Sequence, residues 1–309
     1  MVDKLTAREL VLKVSNCFEI PLALQGQSHP CREVVLEQNS FIANESERQR
    51  PEPWVGNLET GKVLFISSNP SISLDPGLER EDFPNFQTKP EIASNFFLER
   101  FKPDLDQVHA TFKHPTEPNF LTRSLDGKYR SGTKNPKKPQ STWANTHRRA
   151  VEILGTNCHP HFDYAITEIV HCKSKDAAGV ANASRRCINN WMNQILELST
   201  AKTIILFGSK VRDHFALPVL NFEDNFGSSK DYVKLKPLER SLRDIQISNF
   251  GGKQRLYVFN WHPVAPKMRK LETVYGNKTL KLIQEITLGN QSIPENQQEL
   301  INLLMEINA

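Results

Sequence analysis

The expected fold starts from the run Lys62-Val63-Leu64-Phe65-Ile66-Ser67-Ser68-Asn69-Pro70-Ser71. Residues 63–67 are mostly β-branched or aromatic and uncharged, which predicts a buried strand. Proline cannot donate to a sheet ladder and biases the residue before it toward extended geometry, so the strand should end at Asn69. Ligands bind at the carboxyl edge of open parallel sheets, which makes Asn69 a candidate site residue. An Asn-Pro pair on its own is also an ordinary turn signal.

A second strand ends in the same way much later in the chain. Residues 255–261 read Arg-Leu-Tyr-Val-Phe-Asn-Trp and are followed by His262-Pro263. The other predicted elements of the core are strands at 164–171 and 203–207 and helices at 142–154 and 183–198. This alternation predicts an α/β fold, a three-layer α/β/α sandwich around a central, mainly parallel four-stranded sheet. Right-handed crossovers would then bring Asn69, the end of the 164–171 strand and His262 to one edge.

The composition indicates one large globular domain with extensions. The chain has 309 residues, of which 24% are charged and 38% hydrophobic. We expect an N-terminal extension at 1–55, an α/β domain at 56–290 with a basic insertion at about 75–140, and a C-terminal helix at 291–309. No apolar run is long enough to cross a bilayer and the first residues show no signal-peptide pattern, so we expect a cytoplasmic monomer without a membrane partner.

Positive charge is concentrated in one part of the chain. The formal net charge is only +4, but residues 123–149 contain eight Lys or Arg and a single acid, Asp126. Such a run is typical of a surface that contacts phosphates, because Lys and Arg release counterions on binding DNA. A solvated loop beside a helix explains the run equally well. The DNA-contacting candidates are Lys134, Lys137, Lys138 and Arg148.

The ordered motifs resemble the uracil-DNA glycosylase superfamily. Ser67-Ser68-Asn69-Pro70-Ser71 matches the centre of the family's Gly-x-Asn-Pro-Gly motif. His262-Pro263-Val264-Ala265-Pro266 keeps the His-Pro of the His-Pro-Ser-Pro motif but has an extra residue before the next proline. Thr167-Glu168-Ile169-Val170-His171-Cys172 has the layout of Thr-Asn-Val-Val-Lys-Cys in the thermophilic branch. The resemblance covers roughly residues 60–75 and 142–275.

This resemblance implies a DNA glycosylase, which flips a pyrimidine out of the DNA and hydrolyses its N-glycosidic bond to leave an abasic site. Cleavage needs a group that stabilises negative charge on the departing base and a water held at the sugar carbon. His262 suits the first role and Asn69 the second, since an amide orients water without acting as a base. The further candidates are Ser68, Phe83 and Phe86 at the flipped base, and Lys267, Met268 and Arg269 at the place of the wedge that enters the duplex.

Glu168 departs from the family at the position that reads the base. The uracil-reading branches have an asparagine there, whereas an ionised glutamate only accepts hydrogen bonds. It would repel the uracil O4 and accept from the amino group of cytosine. We therefore expect excision of a modified cytosine, as in phage DNA, which would be a role in antiviral defence. The alternatives are uracil excision in DNA repair, an inactive DNA-binding module, or a Glu168 that pairs with Lys173 or Arg186 and reads no base.

The five cysteines predict no disulfide framework, because their number is odd and none form a CxxC pair. Buried apolar thiols are the default, so we expect no metal and no cofactor. The resemblance leaves one alternative open. Cys172 and Cys187 stand where the thermophilic branch has two of its four iron–sulfur ligands, while Cys17 and Cys31, separated by thirteen residues, lie outside the matched region.

Overall fold

A computed structural model describes residues 5–40, 50–70, 94–95, 97–101, 122–123, 129–130, 141–222, 232, 234–260 and 270–309. Most of the predicted basic insertion lies outside these residues. So do nine of the predicted site residues: Phe83, Phe86, Lys134, Lys137, Lys138, His262, Lys267, Met268 and Arg269.

The described strands form one large sheet and one short ladder. They are β1 (Val55–Gly56), β2 (Val63–Ser67), β3 (Thr122–Arg123), β4 (Tyr129–Arg130), β5 (Tyr164–Glu168), β6 (Thr203–Phe207), β7 (Ile245–Ser248) and β8 (Arg255–Asn260). The large sheet has six strands in the order β1-β5-β2-β6-β8-β7, and β3 pairs with β4 alone. The four inner strands are parallel to one another, while β1 and β7 are antiparallel edge strands.

Nine helices lie in the described residues. They are α1 (Ala7–Ser15), α2 (Glu19–Gln25), α3 (Arg32–Ser40), α4 (Ser141–Leu154), α5 (the consecutive segments Val180–Cys187, Ile188–Met192 and Asn193–Leu198), α6 (Gly208–Val211 and Arg212–Ala216), α7 (Pro237–Asp244), α8 (Leu271–Leu288) and α9 (Gln297–Asn308). Among them, no helix combines the length and the apolar composition that spanning a bilayer requires.

Helices pack on both faces of the sheet because successive side chains of each buried strand point to opposite sides. Leu64 and Ile66 belong to a core shared with α1, α3, α5 and α6, whereas Val63 and Phe65 belong to a second core shared with α4, α8 and α9. The predicted N-terminal extension is therefore packed against the sheet, with Leu10 in α1 and Val34 in α3 fully buried in the first core.

The α/β class and the four parallel strands are confirmed, but the expected four-stranded sheet is wrong, since the sheet is six-stranded and mixed. Strand β1 has only two residues, too few for a periodic signal. Strand β7 reads Ile-Gln-Ile-Ser and follows directly after α7; its four residues are too few for a clear alternating pattern. Helix α3 lies in the predicted N-terminal extension, and its polar composition gives it only a weak helical pattern.

Arg255 joins the start of β8 to the end of α5. Its side chain is only 1% exposed. The five guanidinium N–H groups donate to backbone carbonyls, those of Leu196, Ser199, Ala201, Phe250 and Lys253. The first two carbonyls lie at the end of α5, where the helix itself offers no N–H partner. Arg255 thus satisfies buried acceptors that water cannot reach.

Arg255→Leu should lower the free energy of unfolding by about 3 kcal/mol or more, because several buried carbonyls lose their donor at once. Lys253→Leu is the matched control. Lys253 donates to the carbonyls of Glu197 and Ser199 but is exposed, so its replacement should cost less than about 1 kcal/mol. Urea unfolding measures both. Equal losses in the two variants would contradict this role of Arg255.

Candidate functional site

The segments that follow β2 and β5 run side by side beyond the edge of the sheet. The amide of Val170 donates to the carbonyl oxygen of Ser68 at 3.0 Å, and the amide of Ser174 donates to that of Pro70 at 3.1 Å. These bonds continue the β2–β5 pairing past the last strand residues. They hold the backbone on both sides of Asn69 in place.

The side chain of Asn69 is fixed by the same two segments. Its Nδ2 donates to Oγ of Ser174 at 3.0 Å and to the carbonyl oxygen of Pro70 at 2.9 Å, while its Oδ1 accepts from Oγ of Ser68 at 3.3 Å. A backbone carbonyl only accepts, so it must face the amide nitrogen, which settles the orientation of the amide. Oδ1 has a second lone pair, and it is suited to accept a hydrogen bond from a water. Ser68 contacts Asn69 here; its predicted contact with a base stays a prediction.

Glu168 is the last residue of β5 and lies opposite Ser67 in the β2–β5 register. Its side chain is partly exposed, and no described residue donates a hydrogen bond to its carboxyl group. The two cations that could have neutralised it have other partners. Lys173 pairs with Glu52 at 2.8 Å, and Arg186 pairs with Glu19 at 2.7 Å. Within the described part of the chain, the Glu168 carboxyl therefore stays available to a ligand.

Glu52 is a buried carboxylate held by two buried cations. Its Oε1 accepts from Nζ of Lys173 at 2.8 Å and from Nη1 of Arg100 at 3.3 Å. The Arg100 guanidinium also lies over the ring of Trp143, 4.8 Å from its centroid. Burial by itself would raise the pKa of Glu52, but the charges of Lys173 and Arg100 outweigh it and hold that pKa at about 2. Glu52 is thus ionised at every physiological pH.

The carboxyl of Glu168 has the opposite character. Burial raises its pKa to about 8, and the negative charge of Glu52 adds to the rise, while Arg100 and Lys173 oppose it. At neutral pH the group keeps its proton, so it donates as well as accepts. The premise that Glu168 is ionised therefore does not hold at neutral pH. Two neighbouring carboxyls whose pKa values are pushed apart are typical of sites that perform acid–base chemistry.

The end of β8 completes this edge of the sheet. β6 lies between β2 and β8, so the ends of those two strands are separated by two inter-strand spacings, roughly 10 Å. β6 itself ends at Phe207, and the next residue is Gly208, which carries no side chain. β8 ends at Asn260, two residues before His262. His262 lies outside the described residues, so its meeting with Asn69 stays a prediction.

One residue of the predicted DNA-contacting set lies in the described part of the chain. Arg148 is exposed on α4, where its Nη1 donates to Oδ1 of Asn145 at 2.9 Å. Its neighbour Arg149 points inward and pairs with Glu152 at 2.6 Å. Arg148 therefore lies on the surface, and its contact with a phosphate stays a prediction, whereas Arg149 is structural.

Four cysteines from distant parts of the sequence line one cavity. Cys17 and Cys31 come from the N-terminal helical region, while Cys172 and Cys187 come from the segment after β5 and from α5. The cavity is small, about 20 Å³, and Trp191 and Glu19 also line it. All four thiols are free, and the fifth cysteine, Cys158, lies in the other core.

Four thiols match an iron–sulfur cluster in the kind and number of donors. Among the described residues, no three His, Cys, Asp or Glu side chains form a group that could hold one metal ion. An iron–sulfur cluster is larger than an ion and takes four thiolates from around it. The carboxylate of Glu19 does not compete, because Arg186, Asn190 and His29 occupy its oxygens. Burial raises the pKa of Cys31 to about 12, so the thiols give up their protons only to a bound metal.

Sequence reasoning identified Asn69 and Glu168 but missed the groups that surround them. Glu52 and Arg100 lie outside every motif, and Glu52 stands between two prolines in the predicted N-terminal extension. Ser174 is a serine in a polar segment. Nothing in their local patterns marks these residues, because their importance comes from being buried together.

Replacing the Glu168 or the Glu52 carboxyl by an amide should change the free energy of unfolding in opposite directions. The folded-state pKa of Glu168 lies above the ordinary 4.5, so between about pH 4.5 and 8 only the unfolded chain loses this proton, and stability falls as pH rises. Relative to wild type, Glu168→Gln should therefore gain about 1–3 kcal/mol at pH 8 and much less at pH 5. Glu52→Gln should lose about 3–5 kcal/mol at pH 8, because Lys173 and Arg100 lose their counter-charge.

Urea unfolding at the two pH values measures these differences. A Glu168→Gln variant that is equally destabilised at pH 5 and pH 8 would show that Glu168 is an ordinary ionised carboxylate.

Comparison with known proteins adds no assignment to this site. No protein-family model matches the chain, and no curated protein matches it either. The functional interpretation therefore rests on the residues and their arrangement.

Proposed function

We propose that the chain is a DNA glycosylase that flips a modified cytosine into the edge of the sheet and hydrolyses its N-glycosidic bond. The observation that carries this proposal is the open carboxyl of Glu168 beside the fixed amide of Asn69. The neighbouring carboxylate of Glu52 is ion-paired, while Glu168 has no bonded partner among the described residues. A polar group left open at a strand end is what a ligand-reading group requires.

The fold supports the same reading. A uracil-DNA glycosylase-like sandwich needs parallel strands whose ends share one edge and helices on both faces. The order β5-β2-β6-β8 and the two cores agree with that architecture. The two antiparallel strands β1 and β7 are then additions at the edges. The roughly 10 Å between the ends of β2 and β8 would accommodate a flat base between Asn69 and His262.

Each group at the edge then has one task in the reaction. Asn69 holds the attacking water through Oδ1, since its Nδ2 is committed to Ser174 and Pro70. His262 stabilises the negative charge that develops at O2 of the departing pyrimidine. Glu168 accepts from the exocyclic amino group of the base.

Contacts to the DNA backbone would come from Arg148 and from the predicted Lys134, Lys137 and Lys138. Arg148 lies on the same helix as Trp143, over whose ring Arg100 of the Glu52 network is placed. A positive surface beside the base-reading site would keep the flipped nucleotide in register with its strand. A modified cytosine as target agrees with action on foreign DNA rather than on deaminated bases.

We also propose that Cys17, Cys31, Cys172 and Cys187 hold an iron–sulfur cluster. When bound, such a group would cross-link α1–α3 to the segment after β5, the segment that carries Lys173 and Ser174. The four thiols would thereby stabilise the loop that positions Asn69. The alternative, which the sequence predicts, is that the four cysteines are buried structural thiols without a cofactor.

Asn69→Ala should reduce base release by about 100-fold or more while DNA binding is retained, because the amide orients the water and does not hold the DNA backbone. The assay uses oligonucleotides that carry 5-substituted cytosines or uracil, with alkaline cleavage of abasic sites and mass spectrometry of the released base. Asn290→Ala is the control, since Asn290 is exposed at the end of α8. Release of uracil alone would favour repair of deaminated DNA. Binding without any release would favour an inactive DNA-binding module.

The cysteine proposal has its own readout. The purified wild-type protein should be brown, absorb visible light and contain iron and acid-labile sulfide. Cys187→Ala should lose this absorbance, whereas Cys158→Ala, a buried cysteine outside the cavity, should keep it. A colourless, iron-free wild type prepared without oxygen, or equal absorbance in both variants, would favour structural thiols.

A further inference from the structure

We propose, on the basis of the glycosylase function above, that Glu168 is a catalytic residue that transfers its proton to N3 of the cytosine-like base as the glycosidic bond breaks. Recognition of the base needs only that Glu168 accepts a hydrogen bond from its amino group. Here the same carboxyl also acts as a general acid. A carboxyl can act as a general acid, whereas the asparagine that the uracil-reading glycosylases have at this position cannot.

The position of Glu168 is suited to a proton donor. The residue ends a strand that β1 pairs at Ala165 and Ile166, and Glu168 itself pairs with Ser67 of β2, so its backbone is held in the sheet. Its side chain is partly exposed while those of Ile166 and Tyr164, earlier on the same face of the strand, are buried. The carboxyl therefore lies where the core meets the open edge, and no described side chain occupies its hydrogen-bonding atoms.

Three charged groups around Glu168 act on its pKa: Glu52 raises it, while Arg100 and Lys173 lower it. Glu52 lies on the segment before β1, Arg100 on the segment 97–101 and Lys173 on the segment after β5. The two cations are bonded to Glu52 at 2.8 Å and 3.3 Å, so their charge is largely spent on that carboxylate. Burial and Glu52 together raise the Glu168 pKa to about 8, near the pH at which a general acid is most effective.

A neutral carboxyl matches the edge of cytosine with two hydrogen bonds. Its carbonyl oxygen accepts from the N4 amino group, and its O–H donates to N3, which in cytosine is an acceptor. When the N1–C1′ bond breaks, its electron pair stays on the base and the Glu168 proton moves to N3. The base therefore leaves as a neutral tautomer, and Glu168 becomes a carboxylate. The water held by Asn69 adds its oxygen to C1′ and releases one proton, and Glu168 is reprotonated from solvent.

The chemistry of the two bases explains why a carboxyl is needed here. N3 of uracil already carries a hydrogen, and the departing uracil anion spreads its charge over two carbonyl oxygens. Cytosine has one carbonyl and an amino group, so its anion is a poorer leaving group. An amide in the place of Glu168 makes both contacts but has no proton to transfer.

The test compares Glu168→Gln with wild type on the 5-substituted cytosine that wild type releases. The glutamine keeps both hydrogen bonds, so KM should change little while kcat falls by about 100-fold or more. In wild type kcat should fall as pH rises above about 8, because the proton is lost, and this alkaline fall should be absent in the variant. Thermal unfolding confirms that the variant is folded.

A chemical control removes the proton acceptor instead of the donor. In 3-deazacytosine a C–H replaces N3, so the wild-type protein should cleave this analogue about 100-fold more slowly than the cytosine substrate. The Glu168→Gln variant should cleave the analogue at the same rate as the wild-type protein. An active wild type whose Glu168→Gln variant keeps its kcat, or which cleaves the analogue at full speed, would overturn the general-acid role alone. A wild type that releases no base from any oligonucleotide would overturn the glycosylase function and this role with it.

Discussion

The structure around the candidate site depends on one buried charge. Glu52 is 9% exposed, and a carboxylate in such a place is stable only when it is paired and hydrogen-bonded. Lys173 and Arg100 supply that pairing, and each comes from a different segment of the chain. The need to neutralise Glu52 therefore fixes three segments relative to one another. Both cations are bonded to Glu52, so within the described residues neither forms an ion pair with the neighbouring Glu168.

The geometry of the sheet brings the residues near Glu52 together at one edge, where they form the candidate site. Parallel strands end at one edge, and the loops after β2 and β5 stay hydrogen-bonded beyond it, so Asn69 and Glu168 are presented by a rigid frame. Arg255 contributes from the opposite end of the sheet, where it secures α5 to β8. The precise placement that bond cleavage needs is thus provided by backbone pairing rather than by flexible side chains.

The N-terminal helices belong to this frame. The sequence sets residues 1–55 apart as an extension, yet α1 and α3 pack in the core beneath the sheet, and Cys17 and Cys31 reach the cavity that Cys172 and Cys187 share. The segment after β5 consequently faces the cysteine cavity with Cys172 and the candidate site with Lys173 and Ser174. Whatever holds the four thiols in place also supports the loop on which Asn69 depends.

The sequence by itself determined the α/β class, the four central strands and the placement of Asn69 at a strand end, because buried strands and proline stops leave local patterns. The predicted strand 164–171 placed Glu168 in its interior, and the structure ends that strand at Glu168. The edge strands β1 and β7, helices α3 and α7 and the convergence of the four cysteines could not be derived in this way. Tertiary structure alone raised the pKa of Glu168, since the shift comes first from burial and then from Glu52, which is far away in sequence. The physical reason is that pairing and desolvation are properties of neighbours in space, and local sequence specifies only neighbours along the chain.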